Sequence, residues 1–204
     1  MRAVIISGGV ITNYEYIKAY IKDSDTIICA DSGYNHAVKM GLAPSIVVGD
    51  FDSIGELPQD VPCLQYPSQK DLTDTEIAIE YARNKGFRDF LLLGVTGSRI
   101  DHSLTNILLL KNILARGEQA VIVDEHNKVM ITDSQLSLHE PPGSIVSLIP
   151  LTDCRGVFTE NLEYPLRDAV MRVGKGLGVS NIMTRGNADV TVKEGVLLVI
   201  IAKD

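Results

Sequence analysis

The stretch IVVGDFDSI, residues 46–54, is an apolar run that ends abruptly in two acids one residue apart, Asp50 and Asp52. A short apolar run closed by Gly and Asp reads as a strand buried on both faces, with its carboxyl end at the acids. Two carboxylates this close repel unless something cationic sits between them. The same pattern recurs in AVIISGG (3–9), TIICAD (26–31) and FLLLGV (90–95). Between these runs lie helical stretches: NYEYIKAYIKD (13–23), SGYNHAVKMG (32–41), TDTEIAIEYARNKG (73–86) and HSLTNILLLKNILARG (102–117). Thr73 and Glu76 form a capping-box pattern at the start of the third. Strand and helix alternating in this way predict a parallel sheet with helices on both faces, a three-layer α/β domain. Ligands bind such sheets beyond the carboxyl ends of the strands, so Asp31, Asp50 and the GVTGSRID loop (94–101) are expected on one rim.

After QAVIVDEH (119–126) the helical signal fades. KVMITDSQLSLHE, SIVSLIPLT, GVFTENLEY, AVMRVG and ADVTVKEGVLLVIIA alternate or run apolar in short pieces split by Gly, Pro and Asn, with KEG (193–195) reading as a hairpin turn. The chain is therefore expected to divide into an α/β domain over 1–126 and an all-β domain over 127–204.

The 204 residues are 45% hydrophobic and 22% charged, enough for a sizeable core. A net charge of −7 without a Lys/Arg cluster argues against nonspecific nucleic-acid binding, so any anionic ligand must be held locally. Three scattered cysteines, without CxxC or Cys/His spacing, argue against a disulfide framework and a structural zinc site and suit a reducing cytoplasm. The N-terminal MRAVIISGGV lacks the features of a signal peptide, and no apolar run reaches the length of a membrane span.

Six acids fall at strand ends or helix starts of the first half: Asp31, Asp50, Asp52, Asp71, Asp74 and Asp101. Any one alone reads as a cap or turn residue. The pair at 50 and 52 resists that account, because a cap needs only one oxygen. A hard divalent cation removes the repulsion, and Mg²⁺ commonly takes one or two carboxylates together with substrate phosphates. No GxxxxGK[ST] loop is present, and GKGLG (174–178) lacks dinucleotide-site spacing. In GVTGSRID, Gly94 and Gly97 allow close backbone approach, a helix N-terminus follows, and Arg99 supplies a forked cation; a plain strand-to-helix loop with a solvated Arg reads equally well. His102, taken alone, reads as a first-turn surface or capping residue. No GxSxG and no Cys with a neighbouring His point to covalent catalysis.

Taken together, ADSG (30–33), GDFDSI (49–54), KDLTDTEIAI (70–79), GVTGSRIDHSLTN (94–106) and GLGVSNIM (176–183) resemble the thiamine pyrophosphokinase family in content, order and spacing. The resemblance implies an N-terminal α/β catalytic domain, a C-terminal β-sandwich that binds thiamine, and a homodimer with active sites at the subunit interface. It also implies transfer of the β,γ-pyrophosphoryl group of ATP to the thiamine hydroxyl, with Mg²⁺ as cofactor. On this resemblance Asp50, Asp52 and Asp74 match the metal and catalytic acids, and Asp101 joins the catalytic set. Asp31, Lys70, Thr73, Gly97, Arg99 and His102 match ATP positions, while Ser180 and Asn181 match the thiamine site. The general base is left between Asp101 and Asp74. Ser32 and Ser98 stand where the family often has glycine. The chain has no Trp, so the wall against thiamine is expected to be Tyr, Phe or non-aromatic.

A pyrophosphokinase acting on another hydroxymethyl heterocycle, such as a pterin, would keep every motif of the first domain, and only the β region and GVSN speak against it. An aspartate-nucleophile phosphatase would want D-x-D-x-[TV] after the first strand, whereas DFDSI follows the third and has Ile54 in the last place. A nucleotide-sensing scaffold would tolerate loss of the acids, and all of them are present.

Overall fold

The structure is a computed structural model that describes residues 1–54, 59–67 and 71–203. Two compact units divide the chain, Met1–Glu125 and His126–Asp204. The first opens with β1 (Ala3–Ile6), α1 (Tyr14–Lys18), β2 (Thr26–Ala30), α2 (Gly33–Lys39), β3 (Ile46–Gly49) and β4 (Cys63–Gln65). It continues through α3 (Asp74–Asn84), β5 (Asp89–Leu93), α4 (Ile100–Ala115) and β6 (Gln119–Val123).

These six strands pair in the order β4-β3-β2-β1-β5-β6, all parallel. The alternation of side chains along a strand sorts the apolar runs onto two faces. Val4, Ile6, Cys29 and Val47 share a core cluster with Ile17 of α1, Ala37 of α2 and Met40 at the end of α2. Ile5, Ile28 and Leu92 point to the opposite face and are buried as well, while α3 packs on β1, β2 and β3. Burial of both faces is why these strands read as continuous apolar runs rather than as alternating ones. The strand order reverses between β1 and β5, which opens a crevice at their carboxyl ends.

The capping box forms as its spacing predicts. Thr73 Oγ1 accepts from the Glu76 amide at 3.2 Å, and Glu76 Oε2 accepts from the Thr73 amide at 2.9 Å. Helix α1 is shorter than the periodicity predicts and ends at Lys18; beyond it Arg2 donates to the Tyr20 carbonyl at 2.8 Å and pairs with Asp25. The edge strand β4 carries no apolar signal, since all three of its residues are exposed and only its pairing with Val47–Gly49 defines it.

The second unit contains β7 (Asn127–Thr132), β8 (Gln135–Leu138), β9 (Ile145–Pro150), β10 (Cys154–Glu160), β11 (Ala169–Met171), β12 (Asn181–Ile182), β13 (Ala188–Thr191) and β14 (Leu197–Ala202). One antiparallel layer runs β12-β9-β14-β7 and the other β11-β10-β13-β8. Val146, Leu148, Val199 and Ile201 of the first meet Leu138, Val157, Met171 and Val190 of the second in one core. This is sandwich packing. The hairpin expected at Lys193–Gly195 does not form. β13 and β14 lie in different layers, and the segment crosses between them with Glu194 bridged to Arg155 and Gly195 at φ +100°.

Candidate active site

Loops at the carboxyl end of the parallel sheet wall a cleft of about 540 Å³, within the size range of small-molecule sites. Ser7, Gly8 and Gly9 follow β1, Asp31 and Ser32 follow β2, Asp50 follows β3, and the run from Gly94 to Arg99 follows β5. The first turn of α3 adds Thr73, Asp74 and Thr75, and α4 adds His102, Ser103 and Asn106. The cleft sits at the crevice between β1 and β5, where the topology places a ligand.

The β5–α4 loop is fastened on three sides. Asn106 donates to the Val95 carbonyl at 2.7 Å, Thr96 Oγ1 donates to Asp124 at 2.9 Å, and the Gly97 amide donates to Ser103 Oγ at 3.0 Å. Gly94 adopts φ +60°, and a Cβ there would lie 2.3 Å from the Ser7 carbonyl oxygen, so this loop can approach β1 only as glycine. Ser7 Oγ and Thr75 Oγ1 form a buried 2.9 Å bond at the base of the cleft. Ser32 fits because a Cβ on Gly8 would sit 2.0 Å from its hydroxyl oxygen, so the missing side chain is at position 8 instead.

Asp31 is 7% exposed and left-handed at φ +47°, and among the described residues its Oδ1 has no hydrogen-bond partner. Carboxylate oxygens of Asp31, Asp50 and Asp52 lie within 4.8 Å of one another. Phe51 turns the chain between the two acids at φ +67°, a conformation bulky residues avoid, and its ring packs against the core cluster. Burial pushes the Asp31 carboxyl above the ordinary carboxylate range against the Ser32 amide, and Asp74, Asp52 and Asp50 push it the same way. An all-oxygen set with a buried, unpartnered carboxylate oxygen fits a hard divalent cation. The sequence placed Asp74 with the metal and Asp31 with the nucleotide. The fold brings Asp31 to the acid pair and sets Asp74 at the first residue of α3, lining the same cleft.

Arg99 lines the cleft mouth and grips Asp101 through both oxygens, at 2.6 Å and 3.2 Å. The Arg99 hydrogen bond, followed by the His102 amide, holds the Asp101 carboxyl down at about 2. Asp101 is thus engaged by Arg99 at the mouth, whereas Asp74 lines the cleft itself. Thr73, Gly97 and His102 also line the cleft. Asp71 is exposed, and Lys70 lies outside the described residues.

In the second unit Ser180 is exposed at φ +58° and its amide donates to Ser147 Oγ at 3.0 Å. Asn181 is 3% exposed, and its amide is committed to backbone. Its Nδ2 donates to the Tyr164 carbonyl at 2.7 Å, and its Oδ1 accepts from the Tyr164 amide at 3.0 Å and the Ile182 amide at 2.9 Å. The sequence matched Asn181 to the thiamine site; in the fold its side chain fixes the backbone of Tyr164, a residue 64% exposed. Tyr164, Ser7, Thr75 and Asn106 were not singled out by the sequence. Ser7 alone carried a signal, as the polar residue between an apolar run and two glycines.

Residues 17–122 match the family model of the thiamin pyrophosphokinase catalytic domain, and residues 133–197 match that of the thiamin pyrophosphokinase vitamin B1 binding domain. The thiamine pyrophosphokinase of Bacillus subtilis (strain 168) is 26% identical over 209 residues, covering 98% of each chain. A crystal structure of thiamine pyrophosphokinase from Bacillus subtilis superposes with a TM-score of 0.91 at 24% identity over all of both chains, a likeness of fold. One from Geobacillus thermodenitrificans gives 0.86 at 26% identity, over 100% of this chain and 98% of the other. With the catalytic-domain model alone spanning more than half of its length, the chain belongs to the thiamin pyrophosphokinase family.

Proposed function

We infer that the protein is a thiamine diphosphokinase, transferring the β,γ-pyrophosphoryl group of ATP to the hydroxyl of thiamine and releasing AMP. The observation that carries the site is the unpartnered Asp31 Oδ1, buried beside Asp50 and Asp52 in a glycine-lined cleft at the strand-order reversal. Asp31, Asp50 and Asp52 would hold Mg²⁺, which draws phosphate oxygens to the acids and offsets their charge. Gly94 and Gly97 let the β5 loop close onto the β1 loop and so shape the rim that receives the phosphates, and Arg99, held at the mouth by Asp101, adds a forked donor. Asp74 accepts the proton of the attacking alcohol. Most of the acceleration is then positioning and electrostatics rather than covalent chemistry.

Thiamine binds the second unit, where Ser180 offers an exposed hydroxyl and Tyr164 supplies the aromatic wall that a Trp would otherwise provide. The protein works as a cytoplasmic homodimer. Unpaired Cys29, Cys63 and Cys154 suit a reducing compartment, and Ile100, Leu104 and Leu108 leave an apolar stripe exposed along α4. Among the described residues no helix is long and apolar enough to cross a membrane.

Incubation with ATP, Mg²⁺ and thiamine, beside a hydroxymethylpterin control, tests the reading. The expected result is AMP and thiamine diphosphate in equal amounts from thiamine alone. Asp52→Asn should keep the fold and lose at least about a hundredfold in turnover, the scale of one electrostatic stabiliser. Product from the pterin alone, or an unimpaired Asp52→Asn, would overturn the assignment.

A further inference from the structure

Gly9 joins the two loops on either side of the strand-order reversal. Its amide donates to the Gly94 carbonyl at 2.6 Å, and the next amide, Val10, donates to the Thr96 carbonyl at 2.9 Å. A Cβ at Gly9 would lie 2.4 Å from both of those carbonyl oxygens, so the β1 and β5 loops touch through bare backbone here. The remaining polar group of this residue, its carbonyl, faces His36 of α2, whose Nε2 lies 2.8 Å away.

A carbonyl only accepts, so Nε2 must carry the proton. The other ring nitrogen, Nδ1, lies 2.9 Å from the Tyr14 hydroxyl, which donates to it when the ring is neutral. Tyr14 itself packs against the imidazole with ring centroids 5.8 Å apart. Each hydrogen bond therefore fixes the next. Tyr14 on α1 sets the tautomer of His36, and the tautomer sets the donor that anchors Gly9. None of these three residues carries the reaction, and the ring does not line the cleft.

We propose that His36 is a positioning residue for nucleotide binding, its Nε2–H holding the Gly9 carbonyl so that the β1 and β5 loops keep the spacing that receives the ATP phosphates. The role rests on the reading of the cleft as an ATP site. A half-buried histidine that merely fills space between α1 and α2 would make a different prediction, because two amide side chains separate donor from volume. Gln places its Nε2 where the imidazole Nε2 lies and can donate to Gly9, whereas Asn reaches only the Nδ1 position and leaves the Gly9 carbonyl unpartnered.

MgATP affinity of the wild-type, His36→Asn, His36→Gln and Tyr14→Phe proteins, read by calorimetry without thiamine, gives the test, with steady-state kinetics and melting alongside. For His36→Asn, Kd and KM for ATP should rise on the order of tenfold, the scale of one lost bond to a sheltered acceptor, with KM for thiamine unchanged. His36→Gln should return ATP affinity to within about twofold of wild type. Tyr14→Phe should weaken it about threefold, because the tautomer is no longer enforced, and stands in should His36→Asn fail to fold. Equal ATP affinity in the Asn and Gln proteins, or unchanged affinity in a folded His36→Asn or Tyr14→Phe, would overturn the role while leaving the enzyme intact. A wild-type protein that does not bind MgATP would overturn the function and this role together, and one that binds MgATP but makes no thiamine diphosphate would overturn the substrate alone.

Discussion

Replacing Asp31 by Asn should make the metal-free protein more stable and the enzyme nearly inert. The carboxyl is 7% exposed, lacks a partner for Oδ1 among the described residues, and faces Asp50 and Asp52 within 4.8 Å. An unsatisfied buried polar atom costs about 1–3 kcal/mol. Each like-charge contact at this spacing adds between about 1 and 3 kcal/mol, the lower figure applying where water reaches the pair, as at exposed Asp52. Asparagine keeps an oxygen for the Ser32 amide and turns a donor toward the two remaining carboxylates. The net gain should be about 1–3 kcal/mol, or roughly 3–8 °C in Tm for a chain of this size.

The pH dependence fixes the cause. Because the Asp31 carboxyl is pushed above its ordinary value, the folded chain binds that proton more tightly than the unfolded one. The stability it contributes is full below the ordinary aspartate pKa of 3.8 and is lost as pH rises through the folded value. The advantage of Asp31→Asn should therefore appear at neutral pH and vanish in acid. Mg²⁺ should raise the wild-type Tm at pH 7 and leave the variant unmoved. Melting curves by scanning calorimetry at pH 3.5 and pH 7, each with and without Mg²⁺, read all four corners. A variant that melts lower at neutral pH would refute the reasoning, since Asp31 would then already have a cationic partner, and so would one that gains as much from Mg²⁺ as the wild type, since Asp31 would then not hold the ion.

Away from the cleft, Glu118→Gln should cost about 1–3 kcal/mol, visible in urea melts, because it takes the charge from a buried carboxylate that the half-buried Arg83 guanidinium meets through both oxygens, at 2.9 Å and 2.6 Å, while Glu80 still pairs with Arg83. Turnover below the melting range should not change. Asp25 is raised by burial but pulled lower still by the Arg2 hydrogen bond and charge, so its contribution is present above pH 3.8 and lost as pH falls through the depressed value. Asp25→Asn should accordingly lower Tm at pH 7 and match the wild type in strong acid. In the second unit, Asn181→Ala frees the Tyr164 backbone at both its amide and its carbonyl, so KM for thiamine should rise several-fold with KM for ATP constant. A KM for thiamine that stays put would detach Tyr164 from the site.

The parallel sheet was legible because its strands are buried on both faces, which leaves three or four apolar residues in a row ending at Gly or Asp, as in IVVGD. Such runs also mark the carboxyl ends, and with them the rim where a ligand binds. What escaped depends on pairing rather than on burial. β4 is an exposed edge strand of Cys-Leu-Gln, which nothing distinguishes from loop until Val47–Gly49 lies beside it. Lys193–Gly195 has the composition of a tight turn whether it joins two paired strands or, as here, carries the chain from one layer to the other. Local chemistry fixes the bend, and only the core that Val192 and Leu197 share decides where the next strand goes.

The acids behave in the same way. Their presence at strand ends is a one-dimensional signal, but which three come together is set by strand order and by two strained residues. Asp31 at φ +47° and Phe51 at φ +67° turn the carboxylates toward one point, and no spacing rule predicts that a phenylalanine will accept a left-handed backbone. The ring of Phe51 offsets that cost by packing into the core, which ties the geometry of the acid pair to the stability of the domain. Substitution of Phe51 by Gly would relieve the strain and remove the packing at once. The acids would then be free to separate, and Mg²⁺-dependent melting should weaken even though no acid has been touched. If the Mg²⁺ shift in Tm survives Phe51→Gly at full size, the backbone at position 51 does not hold the pair together, and the side chains find one another without it.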